Sequence, residues 1–178
     1  MSNTEELISF ECNPRMIFSA PPGRVVISLD FSNQEAQIAA VWSGDEMMCN
    51  VFRVPEKLTD KDGKEYVNPY SDLHTLTCVA CVAPEDYKGV PESKWRDIAD
   101  STGKRKPAKI LNFGILFGST ALAISELNHV PIKVAEEWVT NHKKTYHRFH
   151  QWADEYGHIA QCRGFAIAPV VGHHRWVN

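Results

Sequence analysis

Arg105, Lys109, Phe113 and Phe117 recur every four residues in the run Lys104-Arg105-Lys106-Pro107-Ala108-Lys109-Ile110-Leu111-Asn112-Phe113-Gly114-Ile115-Leu116-Phe117-Gly118. On a helix that spacing lines them along one slowly drifting face, cations at the N-terminal end and rings beyond. Cations beside the positive end of a helix suit a polyanion. The rings further along suit a sugar and a base, or simply a core. Pro107 falls in the first turn, where its missing N–H would have no intrahelical partner anyway. Gly114 and Gly118 would each cost roughly 1 kcal/mol relative to Ala inside a helix. They make sense if something must approach the backbone closely. Any one of these features fits an ordinary amphipathic helix with a basic, solvated start.

The acidic candidates lie nearer the N-terminus. Pro21-Pro22-Gly23 is a turn, and Arg24-Val25-Val26-Ile27-Ser28-Leu29-Asp30 reads as a strand, Val26, Ser28 and Asp30 on one face. Asp30 at the end of a buried strand needs a partner or a cation. Ser32 and Glu35 have the spacing of a capping box, opening a helix that Gly44 closes. Asp62-Gly63 signals a hairpin turn within a polar loop over 50–70. Ser71 is placed to cap a helix over Asp72–Cys81. His74, Cys78 and Cys81 share a face of it, but three ligands on one short helix fit tetrahedral zinc poorly, and packed thiols are favoured.

Arg105-x3-Lys109-x2-Asn112-Phe113-Gly114-x2-Phe117-Gly118 resembles the fingers-helix motif (motif B) of family A DNA polymerases, the bacterial DNA polymerase I type. The family form is R-x3-K-x2-N-F/Y-G-x2-Y-G, so Phe117 stands where Tyr is usual. Asp30-Phe31-Ser32-Asn33-Gln34-Glu35 resembles motif A, D-Y-S-Q-I-E, with Gln37 where the family often has Arg. Asp72-Leu73-His74 resembles the family's D-I-H, and Tyr146-His147-Arg148-Phe149 its Y-P-x-V. Gly172-His173-His174-Arg175 stands where the family has G-R-R-R. The resemblance runs from about Met16 onward.

The resemblance implies an α+β fold, a mostly helical fingers subdomain with a small part of an antiparallel palm sheet. Residues 1–44 would belong to the palm, 45–163 to the fingers, and 164–178 to a hairpin returning toward the palm. It implies catalytic roles for Asp30, a ligand of two Mg²⁺ ions, and for Glu35, the gate against a ribose 2′-OH. Arg105, Lys109, His74, Phe113 and Gln34 would bind the nucleotide. Phe117, Gly118 and Arg175 would contact template or DNA. The implied reaction is two-metal nucleotidyl transfer from dNTPs onto a primer-template. The family's H-D-E hairpin (motif C) occurs nowhere in these residues. The expectation is therefore one polypeptide of a split enzyme, as when a phage gene is interrupted. A second polypeptide would carry the other catalytic Asp, the rest of the palm and the thumb. The rival reading is a non-catalytic nucleotide- or DNA-binding remnant with a structural role; joint retention of Asp30, Glu35, Arg105, Lys109 and Phe113 disfavours it.

Composition sets bounds on both readings. At 178 residues the chain can bury one real core but is far shorter than a whole polymerase. Its net charge of −3 argues against a broadly basic nucleic-acid surface. The positive charge is local instead, four cations in the six residues Lys104–Lys109. No G-x4-G-K-[ST] is present, which excludes a P-loop NTPase. Five cysteines and no secretory leader point to a reducing cytoplasm, bacterial or of a phage-infected host, and no run is long enough to span a membrane. Further helices are expected around Ser93–Ala99, from a Ser119 cap through Leu127, and from Pro131 with Val134, Ala135, Trp138, Val139 and Tyr146 inward. A last one has Phe149, Trp152, Tyr156 and Ile159 in the core and ends at Gly164, before a hairpin.

Overall fold

The computed structural model describes residues 19–167 and 174–176. Gly172 and His173 of the G-R-R-R comparison lie outside these. Two compact units divide the chain, Met1–Ser32 and Asn33–Asn178.

In the first unit, the Arg24 N–H donates to the Pro21 carbonyl at 3.0 Å and Gly23 takes φ 79°, so the Pro21–Gly23 turn forms. The strand expected over Arg24–Asp30 does not: no described residue pairs with it. A lone extended segment has no ladder for its N–H and C=O groups, and a strand exists only through its neighbour. Val25, Val26, Ile27 and Leu29 are 81, 64, 74 and 91% exposed, and Asp30 is exposed as well.

The second unit is helical. Helix α1 spans Gln34–Ser43, α2 Glu46–Val51, α3 Leu73–Thr77, α4 Trp95–Ser101, α5 Arg105–Leu116, α6 Ala121–Asn128, α7 Ile132–Thr145 and α8 His147–Arg163. A π-helical turn, Cys78–Val82, extends α3. Strands β1 (Lys57–Thr59) and β2 (Glu65–Val67) form an antiparallel hairpin, as do β3 (Phe165–Ile167) and β4 (His174–Trp176). The α+β class with mostly helix and small antiparallel sheets is the one the sequence implied. No helix among the described residues is long and apolar enough to cross a membrane.

Helix α5 lies at the centre and packs against α1, α3, α4, α6 and α7. Three apolar clusters surround it. Ala40, Met48, Leu73, Leu76, Tyr146 and Phe149 join α1 to α3 and α8. Cys78, Tyr87, Ala99 and Ala108 form the second, and Cys81, Leu111, Ile124, Ala135 and Trp138 the third. Of the aromatic stripe on α8, Phe149 is core, whereas Ile159 is 42% exposed and Ala160 is buried in its place. The stripe drifts around the helix as it lengthens, because a strict short repeat does not match the 3.6-residue turn.

Several helix starts shift by one residue. Asn33, in the left-handed region at φ 53°, precedes α1, so Ser32 is not its cap. Asp72 rather than Ser71 caps α3, and Thr120 rather than Ser119 caps α6. In each of the last two cases an adjacent side chain of suitable chemistry has the geometry to accept from the first free N–H groups. Gly118 is not inside α5. It takes φ 77° just past the helix end, with Gly118 N–H to the Ile115 carbonyl (3.0 Å) and Ser119 N–H to the Gly114 carbonyl (2.7 Å). That is the paired C-terminal closure in which glycine meets no Cβ penalty. Gly114 is inside, and a Cβ there would come within 3.2 Å of Ile124 Cγ1, so the close approach it permits is that of α6.

Candidate functional site

Helix α5 buries Ala108, Leu111, Asn112 and Gly114 and turns its other side outward. Lys109 is exposed, Phe113 half-buried, and Phe117 71% exposed. The two rings are stacked, 6.4 Å between centroids and 9° between planes, and the Lys109 ammonium lies 5.8 Å from the Phe113 centroid. These rings are therefore a surface feature rather than core. A cleft of about 540 Å³ follows this face, lined by Lys106, Lys109, Phe113 and Phe117. No acidic side chain pairs with Lys109 among the described residues.

Arg105 differs. Its Nε and Nη2 donate to Asp72 Oδ2 and Oδ1 at 2.8 and 3.0 Å, a fork-on-fork pair. Arg96 Nη1 reaches the same Oδ2 at 2.8 Å, and Asp72 also caps α3 through the N–H groups of His74 and Thr75. Burial alone would push the Asp72 carboxyl up. Hydrogen bonds from Arg105 and Thr75, and the charges of both arginines, outweigh it and bring it down to about 2. Only Nη1 of Arg105 is left out of this pair. Asp72 thus ties the start of α5 to the start of α3, across a separation of 33 residues that no local pattern marks. The resemblance pointed at Asp72 as part of a motif but not at its partner Arg96.

His74 follows Asp72 and lies beside Phe113, ring centroids 5.8 Å apart. Its Nδ1 meets Asn112 Nδ2 at 3.0 Å. Asn112 Oδ1 in turn meets Thr77 Oγ1 at 3.0 Å and His142 Nε2 at 3.1 Å, and His142 Nδ1 meets His150 Nε2 at 2.9 Å. Tyr146 Oη completes the buried group at 2.9 Å from Thr77 Oγ1. Asn112 is a position of the motif B resemblance, but its partners Thr77, His142 and His150 carry no single-sequence signal, since the network joins four helices distant in the chain.

Burial lowers His74 to about 4 and His142 to about 3, with nearby cations and His150 adding to the respective effects. Both rings are neutral at pH 7, so His74 offers a neutral N–H rather than a cation. This bears on pH stability. An unfolded histidine takes up a proton near pH 6.5. The folded rings resist it, so stability is complete above about 6.5 and is lost as pH falls toward the folded values. For two such groups, the unfolding free energy should fall by about 2.7 kcal/mol per pH unit below pH 6. Urea melts between pH 7 and 4.5 measure it, and a flat profile would contradict the assignment.

Glu35, in the first turn of α1, lines a larger cavity of about 780 Å³ with Trp42, Phe117, Gly118 and Trp152. Glu35 and Phe117 thus share one space, and Phe117 stands between the two clefts. Gln34 is exposed at the start of α1, and Arg175 is exposed on β4, opposite Ala166. Asp30 belongs to the other unit. Among the described residues no three His, Cys, Asp or Glu side chains gather to hold a metal. Cys78 and Cys81 are buried against Tyr87 and Thr145, and burial pushes the Cys81 thiol up to about 12, away from the thiolate a metal needs.

Residues 3–178 match the sequence profile of DNA polymerase family A. The DNA polymerase of Mycobacterium phage D29 is 30% identical over 156 residues, 88% of this chain and 21% of that protein. The thermostable DNA polymerase I of Thermus aquaticus is 26% identical over 163 residues, 92% of this chain and 16% of that one. Among solved structures, the POL domain of Pol1 from M. smegmatis, in complex with DNA primer-template and dNTP, aligns with a TM-score of 0.58 at 17% identity. That alignment covers 83% of this chain and 21% of the other, and the likeness is one of fold. The chain spans about a fifth or less of the length of these proteins.

Proposed function

The chain belongs to DNA polymerase family A, and from that membership we propose that it supplies the nucleotide-binding fingers face of a template-directed DNA polymerase. The observation that carries the proposal is the outward face of α5: a Lys109 without an ion pair among the described residues, a stacked Phe113 and Phe117, and the buried His74 ring next to Phe113. A primer 3′-OH attacks the α-phosphate of a dNTP and pyrophosphate leaves. Lys109, the remaining Nη1 of Arg105, and the His74 N–H neutralise or bond phosphate oxygens as charge shifts onto them. Phe113 packs against the sugar and Phe117 stands by the templating base. Gly118, with no side chain, lets DNA approach; Gln34 contacts the nucleotide and Arg175 the DNA. Primer-template DNA and dNTP are also the ligands of the solved relative in fold.

Family chemistry uses two Mg²⁺ ions, which activate the 3′-OH and steady the departing pyrophosphate. The donors of this chain do not fit such a site by themselves. Asp30 is the one metal-binding carboxylate that the motif A resemblance supplies, Glu35 being the gate, and one carboxylate cannot hold two divalent ions close together. The second comes from further polypeptide bearing the rest of the palm and the thumb, which we propose is a separate chain. The test is metal-dependent primer extension by this chain alone and after mixing with that polypeptide. Activity only on mixing is the expected result, and robust extension by the chain alone would sink the split arrangement. Absence of dNTP binding in either case would favour a structural remnant.

Sugar selection gives a second test. Glu35 lines the cavity it shares with Phe117, where we propose it blocks a 2′-OH. In the complete enzyme, Glu35→Ala should raise ribonucleotide incorporation by about ten- to a hundredfold, the discrimination one close contact supplies. Unchanged discrimination would reduce Glu35 to a helix-start residue.

A further inference from the structure

The buried polar group around Asn112 has a direction. Asn112 Oδ1 faces two groups, the Thr77 hydroxyl and His142 Nε2, and can only accept from them. His142 therefore carries its proton on Nε2, and its Nδ1 accepts from His150 Nε2–H. The other end of the amide, Nδ2, can only donate, and it faces His74 Nδ1. His74 Nδ1 must then be the bare acceptor, and its single proton sits on Nε2. Among the described residues the one sealed side-chain oxygen or nitrogen without a partner is Asn128 Oδ1. His74 is 5% exposed, and its Nε2, on the ring edge away from Asn112, makes no hydrogen bond to a described residue and is not sealed off.

We propose that Asn112 is a positioning residue that locks the His74 tautomer, oriented by His142 and Thr77, so that a neutral Nε2–H faces the phosphates of a bound nucleotide. The identity of the ligand rests on the function proposed above; the lock does not. The consequence is one of sign. In the locked tautomer the open ring edge is a donor that matches a phosphate oxygen. In the other tautomer the same edge is a lone pair that repels it. A neutral histidine has no charge to override the mismatch, and burial keeps His74 neutral. Asn112 adjoins Phe113 on α5, so the lock also couples the histidine to the helix that bears Lys109. His142, on α7, is buried and lines neither cleft, whereas His150, on α8, also borders the cavity of Glu35 and Phe117.

The experiment is ¹⁵N spectroscopy of the histidine rings in the full chain at pH 7, with dTTP as the added ligand. His74 and His142 are both expected in the Nε2–H form. In Asn112→Leu, His74 is expected to show both tautomers, and dTTP affinity to fall about three- to tenfold, the worth of one neutral hydrogen bond. Nδ1–H at His74 in the unmodified chain overturns the lock, whether or not the variant folds. So does a folded Asn112→Leu chain whose His74 stays wholly Nε2–H. A locked ring with no dTTP binding would sink the proposed function and leave the lock standing. Binding with His74 in the Nδ1–H form would do the reverse.

Discussion

Lys109→Ala is expected to weaken dNTP binding on the order of a hundredfold, about 2–3 kcal/mol, while binding of duplex DNA changes little. The reason lies in how the two cations of α5 are used. Arg105 is held by Asp72 through two hydrogen bonds. Lys109 has the Phe113 ring near its ammonium and no ion pair among the described residues, so its charge is available to a ligand without breaking a described pair. Titration of the chain with dTTP, and separately with a short duplex, measures both quantities. Collapse of duplex affinity with dTTP binding intact would make α5 a DNA-contact element instead. Arg105→Ala should act differently, with much of its effect on stability.

Asp72→Ala is expected to destabilise the fold by about 3–5 kcal/mol, the usual effect of removing one partner from a buried pair. That is a large share of the 5–15 kcal/mol typical of a domain. Three effects combine at this side chain. Arg105 and Arg96 lose their shared partner in a half-buried site. Helix α3 loses its cap, worth about 1 kcal/mol. The starts of α3 and α5 lose the tie that holds them together. Asp72→Asn keeps the cap and removes the charge, so it should fall between. The carboxylate also sets an acid limit. Its folded value is depressed to about 2, so its contribution is whole above about pH 3.9 and is lost as pH falls through 2. Urea unfolding of the three proteins at pH 7 gives the order; a loss under 1 kcal/mol for Asp72→Ala would show the pair to be incidental.

What was legible in the amino-acid sequence was local. The four-residue recurrence from Arg105 to Phe117 places these residues on one helix, because a helix repeats every 3.6 residues whatever surrounds it. Gly44, Gly63 and Gly164 each take positive φ where a helix ends or a hairpin turns, since this conformation is steric and belongs to the residue. The motif spacings sufficed to point to the polymerase family.

Other features depended on neighbours that the chain brings together only on folding. Arg24–Asp30 has the composition of a strand, yet pairing is a property of two segments, and none of the described residues supplies the second. Gly118 read as a helix interior because the apolar repeat runs up to it; the closure through Gly114 and Ile115 carbonyls ends the helix first. The spacing of Arg105 and Lys109 marks them as equals. Tertiary packing separates them, because Asp72 lies against one and not the other. The motifs mark His74 and Asn112 but not their link to each other or to His142. Their protonation and direction follow from burial and from which atom faces which, and both arise only when α3, α5, α7 and α8 close around them.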